Sequence, residues 1–119
     1  EIAADRIGIA RNAAQTWGCT VILKGANTVV ASADGHITII PFANPALATG
    51  GTGDVLAGAV TGLMAQGLSG YDAAICGAYL HGLAADIWSQ CNGASGLLAS
   101  DLLALLPQAM DRIRALRDE

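Results

Sequence analysis

The chain has 119 residues, a net charge of −4 and a charged fraction of only 13%, against about 25% for an ordinary soluble domain. That length is one domain's worth or less, the acidic balance excludes a nucleic-acid binder relying on clustered Lys and Arg, and no apolar run reaches the ~18 residues of a membrane span. So few charges on so short a chain predict a surface meant to be covered, by copies of itself in a homo-oligomer or by a missing part of the same fold.

In chain order, residues 3–17 carry Ile7, Ala10, Ala13, Ala14 and Trp17 at mixed three- and four-residue spacing, separated by Asp5, Arg6, Arg11 and Asn12. This periodicity predicts an amphipathic helix closed by Gly18. The β-branched run that follows predicts a buried strand over 19–24, ending at Lys24-Gly25. Lys24 is the one lysine in the chain. An ordinary surface lysine is the plain alternative, but a strand end beside a glycine suits a point charge directed at a phosphate. Strands over 28–32 and 36–40 flank Ala33-Asp34-Gly35, a strong hairpin signal. His36 at the mouth of that exposed turn reads as structural.

The stretch Ala48-Thr49-Gly50-Gly51-Thr52-Gly53-Asp54 carries three glycines and two threonines in a row. It reads as a flexible loop feeding an uncharged, buried helix over 53–66 that stops at Gly67. A glycine turn at a helix N-terminus aims unpaired N–H groups at one point, where the helix dipole adds positive charge, so it suits phosphate oxygens. Asp54 has two readings. An Asp in a first helical turn commonly just caps it; a capping Asp, however, does not need Gly50, Gly51 and Gly53, whereas a base beside a bound phosphate does. No Lys follows the last glycine and the spacing is not G-x-G-x-x-G, so neither familiar nucleotide loop is present.

Beyond the turn at Leu68-Ser69-Gly70-Tyr71, a second apolar helix is expected over 72–90, broken up by Gly77 and Gly82. His81 within it reads as a hydrogen-bonded core residue, since no partner lies at zinc spacing. Asn92-Gly93-Ala94-Ser95-Gly96 is a loop. Ser100 is expected to cap a helix over 100–106, and Pro107 to open another over 107–116. The three cysteines (Cys19, Cys76, Cys91) lack C-x-x-C spacing and read as reduced, small core residues of a cytoplasmic protein. Because residue 1 is Glu, the chain is expected to begin inside a longer gene product or after processing.

Taken together, the stretch 48–58, Leu23-Lys24-Gly25-Ala26-Asn27-Thr28 with its hairpin, Tyr79-Leu80-His81-Gly82-Leu83-Ala84 and Gly96-Leu97-Leu98-Ala99-Ser100-Asp101-Leu102 resemble the ADP- or ATP-dependent NAD(P)H-hydrate dehydratases, a branch of the ribokinase-like superfamily. The resemblance covers nearly the whole chain. It implies the C-terminal part of a three-layer α/β/α fold: a single, incomplete domain holding a nucleotide half-site. The implied activity is that of a hydro-lyase, with little or no activity in the isolated chain. It repairs hydrated NADH or NADPH by phosphorylating the ring hydroxyl and eliminating phosphate, with ADP or ATP and Mg²⁺ as cofactors and no protein-bound metal site. In that chemistry Asp54 is the base and also touches the substrate; Gly51, Thr52 and Gly53 form the anion hole; and Lys24, Gly25, Ala26, Asn27, Thr28 and Gly53 contact the nucleotide. The rival readings are a ribokinase-like kinase acting on a sugar or vitamin precursor, and a nucleotide-binding fragment without chemistry.

Overall fold

The computed structural model describes residues 2–117, with side chains from Asp5 onward. Its elements are α1 (Ile2–Trp17), β1 (Val21–Leu23), β2 (Val29–Ala31), β3 (Ile37–Ile39), a 3₁₀ turn (Pro45–Ala48), α2 (Thr52–Ala65), α3 (Gly70–Asn92) and α4 (Ala99–Arg117). The three strands pair antiparallel in the order β1-β2-β3, with Val30 opposite Ile22 on one side and Thr38 on the other.

Side-chain alternation divides the sheet between two layers. Val29 and Ala31 of β2, with Val21 and Leu23, pack on Ala10 and Ala14 of α1. Val30 and Ile22 point the other way, onto Leu56 of α2 and Ala74 and Ala78 of α3. Helix, sheet and helix pair thus form the expected α/β/α sandwich. A second core joins the 3₁₀ turn, α3 and α4 through Ala46, Ala84, Ala85, Leu97 and Leu102.

Several expectations are corrected. The strand at 19–24 is half-buried rather than buried, because β1 is an edge strand with β2 as its partner among the described residues. The helices over 100–106 and 107–116 are one helix, α4, running through Pro107. Leu102 and Ala109 are fully buried on either side of that residue, so packing holds both halves in line. Pro107 and Leu103, whose carbonyl loses its usual donor, are both exposed, which leaves the freed oxygen within reach of water. Ser100 is not the cap. The Asp101 carboxylate reaches back to the Leu98 amide at 2.9 Å, closing the first turn from within.

Gly77 and Gly82 do not break α3. A side chain at Gly77 would strike Val60 of α2, and one at Gly82 would overlap the Phe42 ring, so both serve close packing. α2 is not a buried helix: only Thr52 and Leu56 are enclosed, and Ala57, Gly58, Thr61, Gly62 and Ala65 face outward. Trp17 is exposed rather than on the inner stripe of α1, and all three cysteines are free but exposed. Among the described residues, no helix is long and apolar enough to cross a membrane.

The hairpin forms as expected. The Ser32 amide donates to the His36 carbonyl at 2.9 Å and the Gly35 amide to the Ser32 carbonyl at 3.1 Å. The Asp34 carboxylate accepts from the Ser32 hydroxyl and pairs with His36 Nδ1 at 2.9 Å. The Ser32 bond and then the His36 bond hold Asp34 down at about 2, and Asp34 in turn raises His36. This Ser-Asp-His set is a turn clamp and not a catalytic triad, since Ser32 donates to the carboxylate instead of to the imidazole.

Candidate functional site

The carboxyl end of β1, the segment 40–53 and the middle of α3 enclose a cavity of about 550 Å³. Its floor is the glycine stretch, which is far from floppy. Asn44 caps the 3₁₀ turn by accepting from the Ala46 amide at 2.9 Å, and its own amide group donates to Asp86 Oδ1 and Ser89 Oγ of α3, both at 2.9 Å. Thr49 Oγ1 donates to the Ala46 carbonyl at 3.1 Å. Thr52 is 1% exposed, and its hydroxyl lies 2.8 Å from the Leu47 carbonyl and 3.0 Å from that of Thr49. The stretch read as a flexible loop therefore contains a core residue, because its threonines replace missing main-chain bonds with side-chain ones.

Gly51 is the N-cap of α2 with φ 90, a left-handed conformation that a side chain resists. From there the chain turns into the helix. The Asp54 amide is spent on the Gly51 carbonyl at 3.1 Å, and the Thr52 amide makes a stretched contact with Thr49 at 3.4 Å. The amides of Gly51 and Gly53 donate to no main-chain carbonyl among the described residues. Lys24 reaches this corner from the end of β1: a methyl group added at Gly53 would lie 3.1 Å from its Nζ. A primary ammonium, two free amides and a helix N-terminus thus converge where a bare glycine leaves room for them. Such a corner attracts phosphate.

The turn after Lys24 is held by α1. The Arg6 guanidinium donates to the carbonyls of Leu23 at 3.0 Å, Asn27 at 3.3 Å and Ala26. The Thr28 hydroxyl closes the turn on Gly25, accepting from its amide at 3.3 Å and donating to its carbonyl at 3.2 Å. Asn27 takes a left-handed φ of 55, and its amide bonds the Phe42 carbonyl at 2.8 Å.

From α3, His81 closes the inner wall. It is 4% exposed, with Nε2 2.8 Å from the Thr52 carbonyl oxygen. Burial, and to a lesser degree the Lys24 charge, push its pKa down against the opposing pull of the Thr52 bond. The ring is therefore neutral at pH 7, and the carbonyl partner puts its proton on Nε2.

Of the residues singled out from sequence, Lys24, Gly25, Ala26, Thr28, Gly51, Thr52 and Gly53 share the cavity wall. Asn27 lies instead in a second hollow of about 520 Å³, lined with Arg6 and Ile39, which shares Gly25 and Ala26 with the first. Asp54 lines neither; it is exposed on the first turn of α2 and forms no ion pair among the described residues. No group of His, Cys, Asp and Glu among the described residues is disposed to hold a metal. His81 is the hydrogen-bonded core residue the sequence suggested, whereas Arg6, Asn44, Asp86 and Ser89 were missed. The available signal was in α3, where Asp86 and Ser89, like His81, are polar positions on an apolar helix and so need partners.

Comparison with known proteins gives a consistent result. The sequence model of the NAD(P)H-hydrate dehydratase family matches residues 1–108. The bifunctional NAD(P)H-hydrate repair enzyme Nnr of Moorella thermoacetica is 46% identical over 110 residues, covering 92% of this chain and 21% of that protein. The ADP-dependent (S)-NAD(P)H-hydrate dehydratase of Neisseria meningitidis is 45% identical over 103 residues, covering 86% of this chain and 35% of that protein. The crystal structure of the ADP/ATP-dependent NAD(P)H-hydrate dehydratase of Bacillus subtilis, co-crystallized with ATP/Mg²⁺, superposes with a TM-score of 0.87 at 36% identity, covering 94% of this chain and 40% of that one. The chain thus spans between a fifth and two-fifths of the length of the relatives it matches.

Proposed function

Because the chain belongs to the NAD(P)H-hydrate dehydratase family, we propose that it forms the nucleotide-holding part of an enzyme that dehydrates hydrated NADH and NADPH using ADP or ATP. The observation that carries this reading is the Lys24 ammonium poised over Gly53 beside the free amides that open α2. When bound, the nucleotide, with Mg²⁺ on its phosphates, supplies the phosphoryl group that converts the ring hydroxyl into a leaving group, and loss of phosphate restores the ring double bond. The cavity residues fit such a guest: among the described residues, the wall has bare glycine backbone, one lysine and no carboxylate.

In this proposal the amides of Gly51 and Gly53 and the Lys24 ammonium hold the terminal phosphate, and the turn from Gly25 to Thr28 contacts the rest of the nucleotide. Asp54, exposed and next to Gly53, takes the proton from the acceptor hydroxyl as the substrate approaches from the open side. Phosphoryl transfer asks the protein mainly for positioning and charge stabilisation. One anion-hole donor is typically worth about 10²–10³ in rate and a placed base about 10²–10⁴. The position of Asp54 outside the cavity favours one second reading for the chain alone: nucleotide binding without chemistry.

Calorimetric titration with ADP and with ATP plus Mg²⁺ tests the reading. Saturable binding is expected, weakened at least about tenfold by Lys24→Met, since a charged hydrogen bond is worth about 1.5–3 kcal/mol. Absence of heat with both nucleotides would remove the proposal. Release of inorganic phosphate together with recovered reduced-nicotinamide absorbance separates the dehydratase from a kinase, which would leave a stable phosphorylated product.

A further inference from the structure

Among the described residues, the buried polar side chains are Thr52 and His81, and they meet across 29 positions of sequence, His81 Nε2 lying 2.8 Å from the Thr52 main-chain oxygen. That oxygen belongs to the peptide linking Thr52 to Gly53. A trans peptide is planar, with its C=O and N–H pointing in opposite directions, so whatever pins the Thr52 oxygen also sets the line of the Gly53 N–H. Gly53 lacks a Cβ to restrain that plane itself, and its neighbour across Thr52 is another glycine, Gly51. Thr52 is the first residue of α2, so its carbonyl faces the amide one turn on, and its buried side chain is anchored. At a fraying helix start between two glycines, however, His81 adds the one restraint on this carbonyl, among the described residues, that comes from another element.

We propose that His81 is a positioning residue for the anion site: by donating to the Thr52 carbonyl, it aims the free Gly53 amide at the phosphate. This rests on the nucleotide reading above. The same helix holds the entry to the loop, through Asp86 and Ser89 on Asn44. α3 therefore grips the glycine stretch at both ends, and His81 is the grip nearer the phosphate corner. A neutral imidazole suits this place, because it donates without adding a second cation beside Lys24.

Three variants separate aiming from mere packing. In His81→Gln the side-chain nitrogen falls where Nε2 stood, in His81→Asn it stops short at the level of Nδ1, and His81→Leu has no donor. Each would be titrated with ADP and ATP and melted thermally, and the Gly53 amide resonance followed by NMR. The glutamine variant is expected to bind within about threefold of the parent, whereas the asparagine and leucine variants lose about tenfold in affinity per folded molecule, with the Gly53 resonance displaced. Lower melting temperatures with unchanged affinity, or equal losses in Gln and Asn, would overturn the proposal; the Gln–Asn pair suffices if the leucine variant fails to fold. A parent chain that binds neither nucleotide defeats the nucleotide reading instead. In that case, a Gly53 resonance unmoved by Asn overturns the aiming role too, and a displaced one upholds it.

Discussion

Gly53 is the residue at which backbone, charge and ligand space compete. As an early helical position it would gain about 0.5–1 kcal/mol from replacement by Ala. The added methyl would lie 3.1 Å from Lys24 Nζ, a tight contact, but one made with the mobile tip of an exposed side chain. The ammonium can swing away at little cost to folding. Gly53→Ala is therefore expected to leave the melting temperature unchanged or slightly raised while weakening ADP and ATP binding about tenfold, because the cation is displaced and the phosphate's space is filled. Calorimetry and thermal denaturation on the same sample check both signs, and a large loss of stability with intact affinity would contradict the argument. That Lys24 and Gly51 to Gly53 share one cavity wall could be anticipated because each is a local signal: one lysine at a strand end, glycines at a helix start. The roles of Arg6 and Asn44 could not, since what they do depends on carbonyls and side chains brought to them by other elements.

At the scale of elements, periodicity located α1, an uncharged apolar run after the glycine loop located α2, β-branched runs located the strands, and the Asp-Gly pair located the hairpin. The errors came where packing overrode local rules. Pro107 is the clearest case. Read locally, it starts a helix; in the fold, Leu102 and Ala109 are both drawn into the groove beside α3, and α4 continues through it. A proline inside a helix costs about 3 kcal/mol, partly offset by about 0.4–1 kcal/mol from the stiffer unfolded chain. Pro107 is exposed and touches no described core cluster. Pro107→Ala is thus expected to stabilise the protein by about 2 kcal/mol, read as a higher denaturation midpoint with nucleotide affinity unaltered. A lower midpoint would show that the proline shapes α4 rather than being tolerated by it. The misreading of α2 as buried has a different cause: its residues are as apolar as a buried helix requires, but the described residues cover one face of it.

That uncovered face sets the behaviour of the whole molecule. Ala57, Gly58, Thr61, Gly62 and Ala65 face outward on α2, a methyl at Gly58 or Gly62 would meet nothing within 4 Å, and Trp17 and Ile9 on α1 are 69% and 60% exposed. A helix apolar on every side is normally covered on every side, and exposed apolar patches mark surfaces that associate. The Bacillus subtilis structure is more than twice as long as the part this chain matches, so the fold of that relative contains additional chain with which such faces could pack. With a net charge of only −4 to hold copies apart, the 119-residue chain alone is expected to satisfy these faces with one another. Sedimentation velocity over a hundredfold concentration range should show reversible association, reduced by Trp17→Lys or Gly62→Lys; both positions are open to solvent, so neither change disturbs the core. Self-association also competes with the open side from which a substrate would reach Asp54. Turnover of hydrated NADH by the isolated chain is accordingly expected to fall at least about 10²-fold below that of a full-length relative, the order of loss that follows when a reacting group is not held in place. A chain that stays monomeric throughout and turns over at the relative's rate would show that the apolar faces need no cover and that the catalytic corner is complete without it.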